Sequence, residues 1–177
     1  YCAGERGATP GISHHGIWFS RDYRQEYDDL DAGRLPDDPT IYACVSSVTD
    51  PSQAPARHEN WFLLVNMPSG AVIDRESATA LVLERLAGHG VDLRDRLLFT
   101  ETVVPADLEQ RFRAPGGSIY GTSSDGKRAA FVRPRNRGIR RGLYLVGGSS
   151  HPGGGLPLVT MSARIVDDMI EHDLGSR

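Results

Sequence analysis

Cysteine is scarce in this chain: Cys2 and Cys44 are the only two among 177 residues. Two thiols cannot build the multi-bridge framework of a small secreted scaffold, and their spacing matches no cysteine metal motif. We expect free thiols, a reducing compartment and no metal. Lysine is scarcer still, with Lys127 alone, and arginine carries nearly all the basic charge; this bias is read as source composition rather than as a site. Neither sign of charge dominates, since 20 Lys+Arg against 23 Asp+Glu leave a formal charge of -3. No overall basic field exists to draw in nucleic acid or an anionic membrane. Long apolar runs are missing as well, and a run such as 61–65 is far short of the roughly 18 to 20 residues that span a bilayer. Standard nucleotide loops are also absent: neither Gly-x-x-x-x-Gly-Lys-Ser/Thr nor a Gly-x-Gly-x-x-Gly in register before a helix occurs. The chain opens at Tyr1 with neither a charged leader nor an apolar signal core, so it is expected to be a piece of a longer protein.

What is present fits an ordinary folded chain, 39% hydrophobic and 24% charged. Residues 1–13 hold three Gly and a Pro and read as a lead-in loop. His15-Gly16-Ile17-Trp18-Phe19 reads as a strand, Ser20 and Asp22 open a helix, and Tyr23, Tyr27 and Leu30 give it one apolar face ending near Gly33. Strands are expected over 40–46 and 61–65, the latter apolar on both faces and therefore buried. Asp74 caps a second helix carrying Ala78, Leu81, Val82 and Leu86, which Gly88 and Gly90 stop. A strand over 97–104 and a short helix with Leu108 and Phe112 follow. The fold class expected is α+β, a β-α-β-β-α-β sheet with both helices on one face. Its core is assigned to Ile17, Trp18, Ile41, Phe62, Leu64, Leu81, Leu86 and Phe99. The organisation expected is an α+β unit at 14–113, an irregular Gly/Arg-rich connection at 114–142 and a C-terminal segment at 143–172. In that last segment a strand over 143–146 leads through a Gly-rich turn into a helix whose stripe is Leu158, Met161, Ile165, Val166, Met169 and Ile170.

The turn carries the chemistry. Five glycines fall in the nine residues 147–155, more than a tight turn needs. Glycines allow close backbone approach, and helix-start N–H groups favour negative charge, so a strand, a Gly-rich turn and a helix suit an anionic or polarisable ligand. The alternative is a loop that crosses another backbone. His14 and His15 are adjacent and, on a strand, point to opposite faces, so they are not expected to share a site. Arg128, Arg133, Arg135, Arg137, Arg140 and Arg141 form a local basic run, but only Phe131 interleaves it. A solvated loop or a contact to a cofactor phosphate accounts for this better than nucleic acid.

Gly142-Leu143-Tyr144-Leu145-Val146-Gly147, then His151-Pro152-Gly153-Gly154-Gly155-Leu156-Pro157 and a helix, resembles the C-terminal signature of the bacterial and fungal phytoene desaturase family. These are FAD-dependent carotenoid desaturases within the flavin amine oxidase superfamily. Upstream, His14-His15 with the aromatic strand and Asp22-Tyr23, then residues 35–42, 49–55, 117–121 and 133–137, resemble family segments in the same order. The resemblance implies a C-terminal portion of an FAD oxidoreductase whose N-terminal Rossmann domain is not in this chain. It assigns cofactor contact to Gly147, Gly148, His151, Pro152, Gly153, Gly154, Gly155 and Pro157. It assigns a long apolar substrate channel to Trp18, Phe19, Trp61 and Phe62. Catalytic residues stay unassigned. The family commonly has Thr before the His and Gly after the second Pro; here Ser150 keeps the hydroxyl and Leu158 adds bulk. The implied substrate is an apolar, carotenoid-like polyene that loses hydrogen while FAD takes the hydride. The chain alone is expected to be inactive and to retain no FAD. The whole protein would be cytoplasmic, with peripheral membrane contact as an option and no nucleic acid. The competing reading is a non-catalytic binding or regulatory module on the same α+β scaffold.

Overall fold

The computed structural model describes the backbone of residues 2–5 and the full residues 11–121 and 133–175. The expected features at Gly126, Lys127, Arg128 and Phe131 lie outside the described residues. The chain divides into two compact units, Tyr1–Gly117 and Ser118–Arg177.

In the first unit four strands, β1 (Cys2–Glu5), β2 (His15–Trp18), β3 (Ile41–Cys44) and β4 (His58–Val65), form one sheet in the order β1-β4-β3-β2, every pair antiparallel. Helix α1 (Tyr23–Asp31) lies between β2 and β3 in the chain, and α2 (Arg75–Gly88) and α3 (Pro105–Phe112) follow β4. Local chemistry sets the boundaries. The Asp22 carboxylate accepts the Arg24 and Gln25 N–H groups at 3.1 and 3.0 Å, and that of Asp74 accepts the Ser77 N–H at 2.8 Å. Gly90 (φ +86°) turns the chain after α2.

Two features depart from the expected sheet. Part of the expected lead-in is β1, paired along β4. Residues 97–104 form no strand: Leu98 and Phe99 are 61% and 60% exposed. This segment hangs on α2 instead, where Arg75 donates to the Thr102 carbonyl and the Thr79 and Thr102 hydroxyls lie 2.6 Å apart. The split pattern also needs a parallel pair, whereas β2 and β3, which flank α1, are antiparallel.

The core collects Ile41, Ala43, Val45, Trp61, Leu83, Leu86, Val91 and Leu93, with Trp18, Leu63, Val65 and Val82 packed against it. The register Ile41↔Val65 and Ala43↔Leu63 sends Trp61, Leu63 and Val65 inward and turns Phe62 and Leu64 outward. Of the expected core, Ile41 and Leu86 are buried and Trp18 packs at the edge. Ile17, Phe62, Leu64 and Phe99 are 54%, 38%, 44% and 60% exposed, and Leu81 is half-buried. An unbroken apolar run such as 61–65 has no alternation from which to read its inward face.

A polar tie holds α1. Glu26 is buried, and its Oε2 accepts from the Ser20 and Thr40 hydroxyls at 2.9 and 2.6 Å. These residues precede and follow the helix, so one carboxyl fastens it to the ends of both flanking strands.

The second unit has one described helix, α4 (Leu156–Gly175). Residues 143–146 do not make the expected strand; Tyr144 forms a single bridge with Arg137, and Leu143, Leu145 and Val146 are exposed. Near the far end of α4, Asp173 accepts from the Arg137 guanidinium and the Tyr144 hydroxyl. The Arg137 guanidinium, then the Tyr144 hydroxyl, hold the Asp173 carboxyl well below the usual carboxylate range.

Candidate cofactor turn and substrate face

The Gly-rich turn is held by three buried polar side chains that flank it. Asn136, Ser150 and Ser162 are 3%, 4% and 0% exposed. The Asn136 side-chain amide donates to the Leu145 and His151 carbonyls at 3.0 and 2.9 Å and to the Ser162 hydroxyl at 2.9 Å. Ser162 Oγ also accepts the Gly147 N–H at 3.3 Å, and Ser150 donates to the Gly147 carbonyl at 3.0 Å. Backbone bonds from Leu145 to Asn136 and from His151 to Pro134, at 2.7 and 2.9 Å, complete the frame. A buried amide with satisfied partners fixes one geometry, because each lost bond would strand a polar group away from water. None of the three was assigned a role from sequence. Asn136, the one uncharged residue in the 135–137 run, and Ser162, facing inward on an otherwise apolar stripe, were the available signals.

The eight expected cofactor residues share this turn, but their glycines differ in kind. Gly147 (φ +129°) and Gly155 (φ +92°) adopt conformations that L side chains rarely take, and a Cβ at either would meet nothing within 4 Å. These two leave the backbone open to a ligand. Gly153 (φ +144°) is buried, a Cβ built on it would lie 3.4 Å from Arg133 Nε, and a Cβ on Gly148 would lie 3.3 Å from Gly154. At Gly154 a Cβ would fall 2.1 Å from Tyr120 Cδ1, so this glycine makes room for a ring of the same chain. Arg133 fastens that arrangement, donating to the Tyr120 and Gly148 carbonyls at 2.9 and 3.1 Å. His151 and Pro157 are exposed and Pro152 is half-buried. Within the expected basic run, Arg133 and Arg137 thus hold the unit together, while Arg135, Arg140 and Arg141 are exposed; Arg128 lies outside the described residues.

The first unit presents a second surface. Cross-strand register aligns His15, Cys44 and Phe62 in one row and Ile17, Tyr42 and Leu64 in the next, all on the face opposite the core. Beside it Phe19, Tyr23 and Tyr27 form a chain of edge-on rings, with centroids 6.3 and 5.1 Å apart and both tyrosines and Phe19 exposed. Of the four expected substrate residues, Phe19 and Phe62 are open. Trp61 is fully buried, its indole N–H donating to Glu59 Oε2 at 3.0 Å, and Trp18 faces the core. The tryptophans therefore shape the sheet from behind, and Ile17, Tyr42 and Leu64 are the face residues that sequence reasoning did not assign to substrate. The expectation that His14 and His15 diverge is also corrected: their ring centroids are 4.4 Å apart. His14 precedes β2 and so lies outside its regular alternation; its carbonyl accepts from the Val45 N–H at 2.7 Å and its Nδ1 lies 2.8 Å from Thr49 Oγ1.

No family model matches the chain. It is similar to curated proteins: a 4,4'-diapolycopene oxygenase of Methylomonas sp at 37% identity over 174 residues, and a 1-hydroxycarotenoid 3,4-desaturase of Flavobacterium sp. (strain P99-3) at 32% over 176 residues. A 4,4'-diaponeurosporene oxygenase of Staphylococcus aureus (strain USA300) is 34% identical over 171 residues. These alignments take in 93%, 96% and 91% of the chain, which spans 35%, 36% and 34% of the relatives' lengths.

Proposed function

Because the chain belongs, over some nine-tenths of its length, to the phytoene desaturase family of carotenoid desaturases and oxygenases, we propose that it is the C-terminal portion of an FAD-dependent oxidoreductase. Its substrate class is a long apolar polyene. The observation that carries this reading is the open backbone at Gly147 and Gly155, in a turn otherwise locked by Asn136, Ser150 and Ser162. Positive φ calls for glycine at both positions in any turn, as at Gly90; what sets these two apart is that their open backbone lies in the frame-held turn that also carries Gly148 and His151.

These residues fit a flat, polar cofactor. Gly148, Gly155 and the exposed His151 offer backbone and side-chain donors, the Gly147 N–H being already given to Ser162 Oγ, and the frame beneath them spares the turn a large ordering cost on binding. FAD, when bound, accepts the hydride removed from the polyene. The chain's own part is positioning: the frame keeps the turn in one conformation, and Ile17, Tyr42, Phe62 and Leu64 offer an apolar wall with a phenol that suits a hydrocarbon and excludes water. A Rossmann domain supplying the pyrophosphate and ribose contacts completes the proposal. The exposure of Leu156, Leu158, Met161 and Leu174 along α4, at 85%, 38%, 51% and 61%, supports a further domain covering this helix.

The test compares Gly155→Ala with Gly142→Ala in the full-length protein. Both glycines have positive φ, +92° and +80°, and neither would place a Cβ near any atom, so the backbone strain is alike. Flavin absorbance per protein should fall several-fold in the first and stay near wild type in the second, with polyene conversion following flavin content. Equal flavin content in both would make the turn structural and favour the non-catalytic module.

A further inference from the structure

His14, His15 and Cys44 converge on the outward face of the sheet. One ligand atom from each lies within 4.8 Å of the others. Cys44 is a free cysteine, half-buried, and pairs in register with His15. Both rings are oriented through Nδ1: that of His14 is 2.8 Å from Thr49 Oγ1, and that of His15 is 2.9 Å from the Tyr42 hydroxyl. The tautomers that donate from Nδ1 leave Nε2 with its lone pair, and neither Nε2 has a partner among the described residues. An oxygen acceptor on the far nitrogen of a histidine, most often a carboxylate, carbonyl or water, sets tautomer and ring direction before a metal arrives, and here the two hydroxyls take that place.

We propose that His14, His15 and Cys44 form a binding site for a borderline-soft divalent cation of the zinc type. Two imidazole nitrogens and a thiolate suit such an ion and disfavour magnesium or calcium, which take oxygen donors. Ligand atoms around tetrahedral zinc stand about 3.5 Å apart, so the three side chains close by roughly an ångström on binding, and the thiol proton leaves to solvent. Three protein donors leave a fourth position for water or another ligand. This site is independent of the cofactor reading: it belongs to the first unit and requires no flavin.

The test uses the protein expressed from its complete reading frame, stripped of metal by chelation and titrated with cobalt(II). One equivalent should saturate a thiolate-to-cobalt charge-transfer band in the near ultraviolet together with the visible bands of a tetrahedral site, and zinc should displace them. Cys44→Ser should abolish the charge-transfer band, and His15→Asn, at an exposed position, should weaken cobalt binding at least tenfold. Thr49→Ala, which removes only the support of the His14 ring, should weaken it less. Absence of a saturable band in the unsubstituted protein would overturn the proposal. So would a band that survives Cys44→Ser or disappears only with Cys2→Ser.

Discussion

Ser162 sits on α4 without solvent exposure and accepts from both the Asn136 amide and the Gly147 N–H. Replacing it with alanine strips the part-buried Gly147 N–H of its acceptor, while the two Asn136 amide hydrogens keep the Leu145 and His151 carbonyls. Ser162→Ala is therefore expected to cost about 1 to 3 kcal/mol in urea denaturation. Thr160→Ala, which removes an exposed hydroxyl bonded to the Leu156 carbonyl within the same helix, should cost only a few tenths. The same two variants bear on function. If the frame holds the turn for a cofactor, Ser162→Ala should lower flavin retention more steeply than Thr160→Ala, and equal retention would detach the frame from binding.

At the level of the elements, β4 divides its side chains between two tasks. Trp61 is fully buried in the core while Phe62, the next residue, is 38% exposed on the other face. Trp61→Ala should destabilise the first unit by about 3 to 5 kcal/mol, the range for deleting a large buried aromatic. Phe62→Ala removes a half-open ring and should leave the unfolding midpoint nearly unchanged. On the proposed reading it should instead raise KM for the polyene with little change in flavin content. A large stability loss in Phe62→Ala would show that the outward face is covered by protein. Helix α2 offers a simpler case, where Asp74→Ala removes the cap on the Ser77 N–H and should cost about 1 kcal/mol.

For the whole chain, pH acts most directly through Asp173. Its carboxyl is held below the ordinary value by Arg137 first and then Tyr144. A carboxyl whose folded value is depressed stabilises the fold above the unfolded value near ~4, and that contribution is lost as pH falls toward the folded value. Thermal unfolding followed from pH 6 downward should therefore show an acid-side loss that is smaller in Asp173→Asn, because the variant has already lost the group that titrates. Identical acid limbs would mean that the contact persists in the unfolded chain or carries no stability. A second expectation at this scale concerns ligand retention. The 177-residue chain purified alone should carry little flavin, since the turn would have to meet the whole association cost without the pyrophosphate and ribose contacts. A stoichiometrically yellow preparation would contradict the need for a further domain.

What the sequence determined by itself is mostly local or compositional. Asp22 and Asp74 opened their helices because a capping carboxylate needs only the next few N–H groups, and Gly90 ended α2 for the equally local reason that it accepts positive φ. The ordered motifs from His14-His15 to Pro157 carried the family, because they record chemistry along the chain. Other features required the partner to be in place. The inward face of 61–65 was decided by β3, whose register chose Trp61, Leu63 and Val65 from a run with no alternation of its own. Residues 97–104 had strand character, yet β1 lay along β4 while Thr102 was fastened to α2. Gly154 reads in the sequence as part of a ligand cradle, whereas the fold sets Tyr120 against it, and His14 lies beside His15 because it precedes the regular strand and its ring meets Thr49. Asn136 and Ser162, 26 positions apart in the chain, became one frame only when α4 returned beneath the turn. Hydrogen bonds of that reach depend on where the backbone goes, and periodicity in the sequence does not encode them.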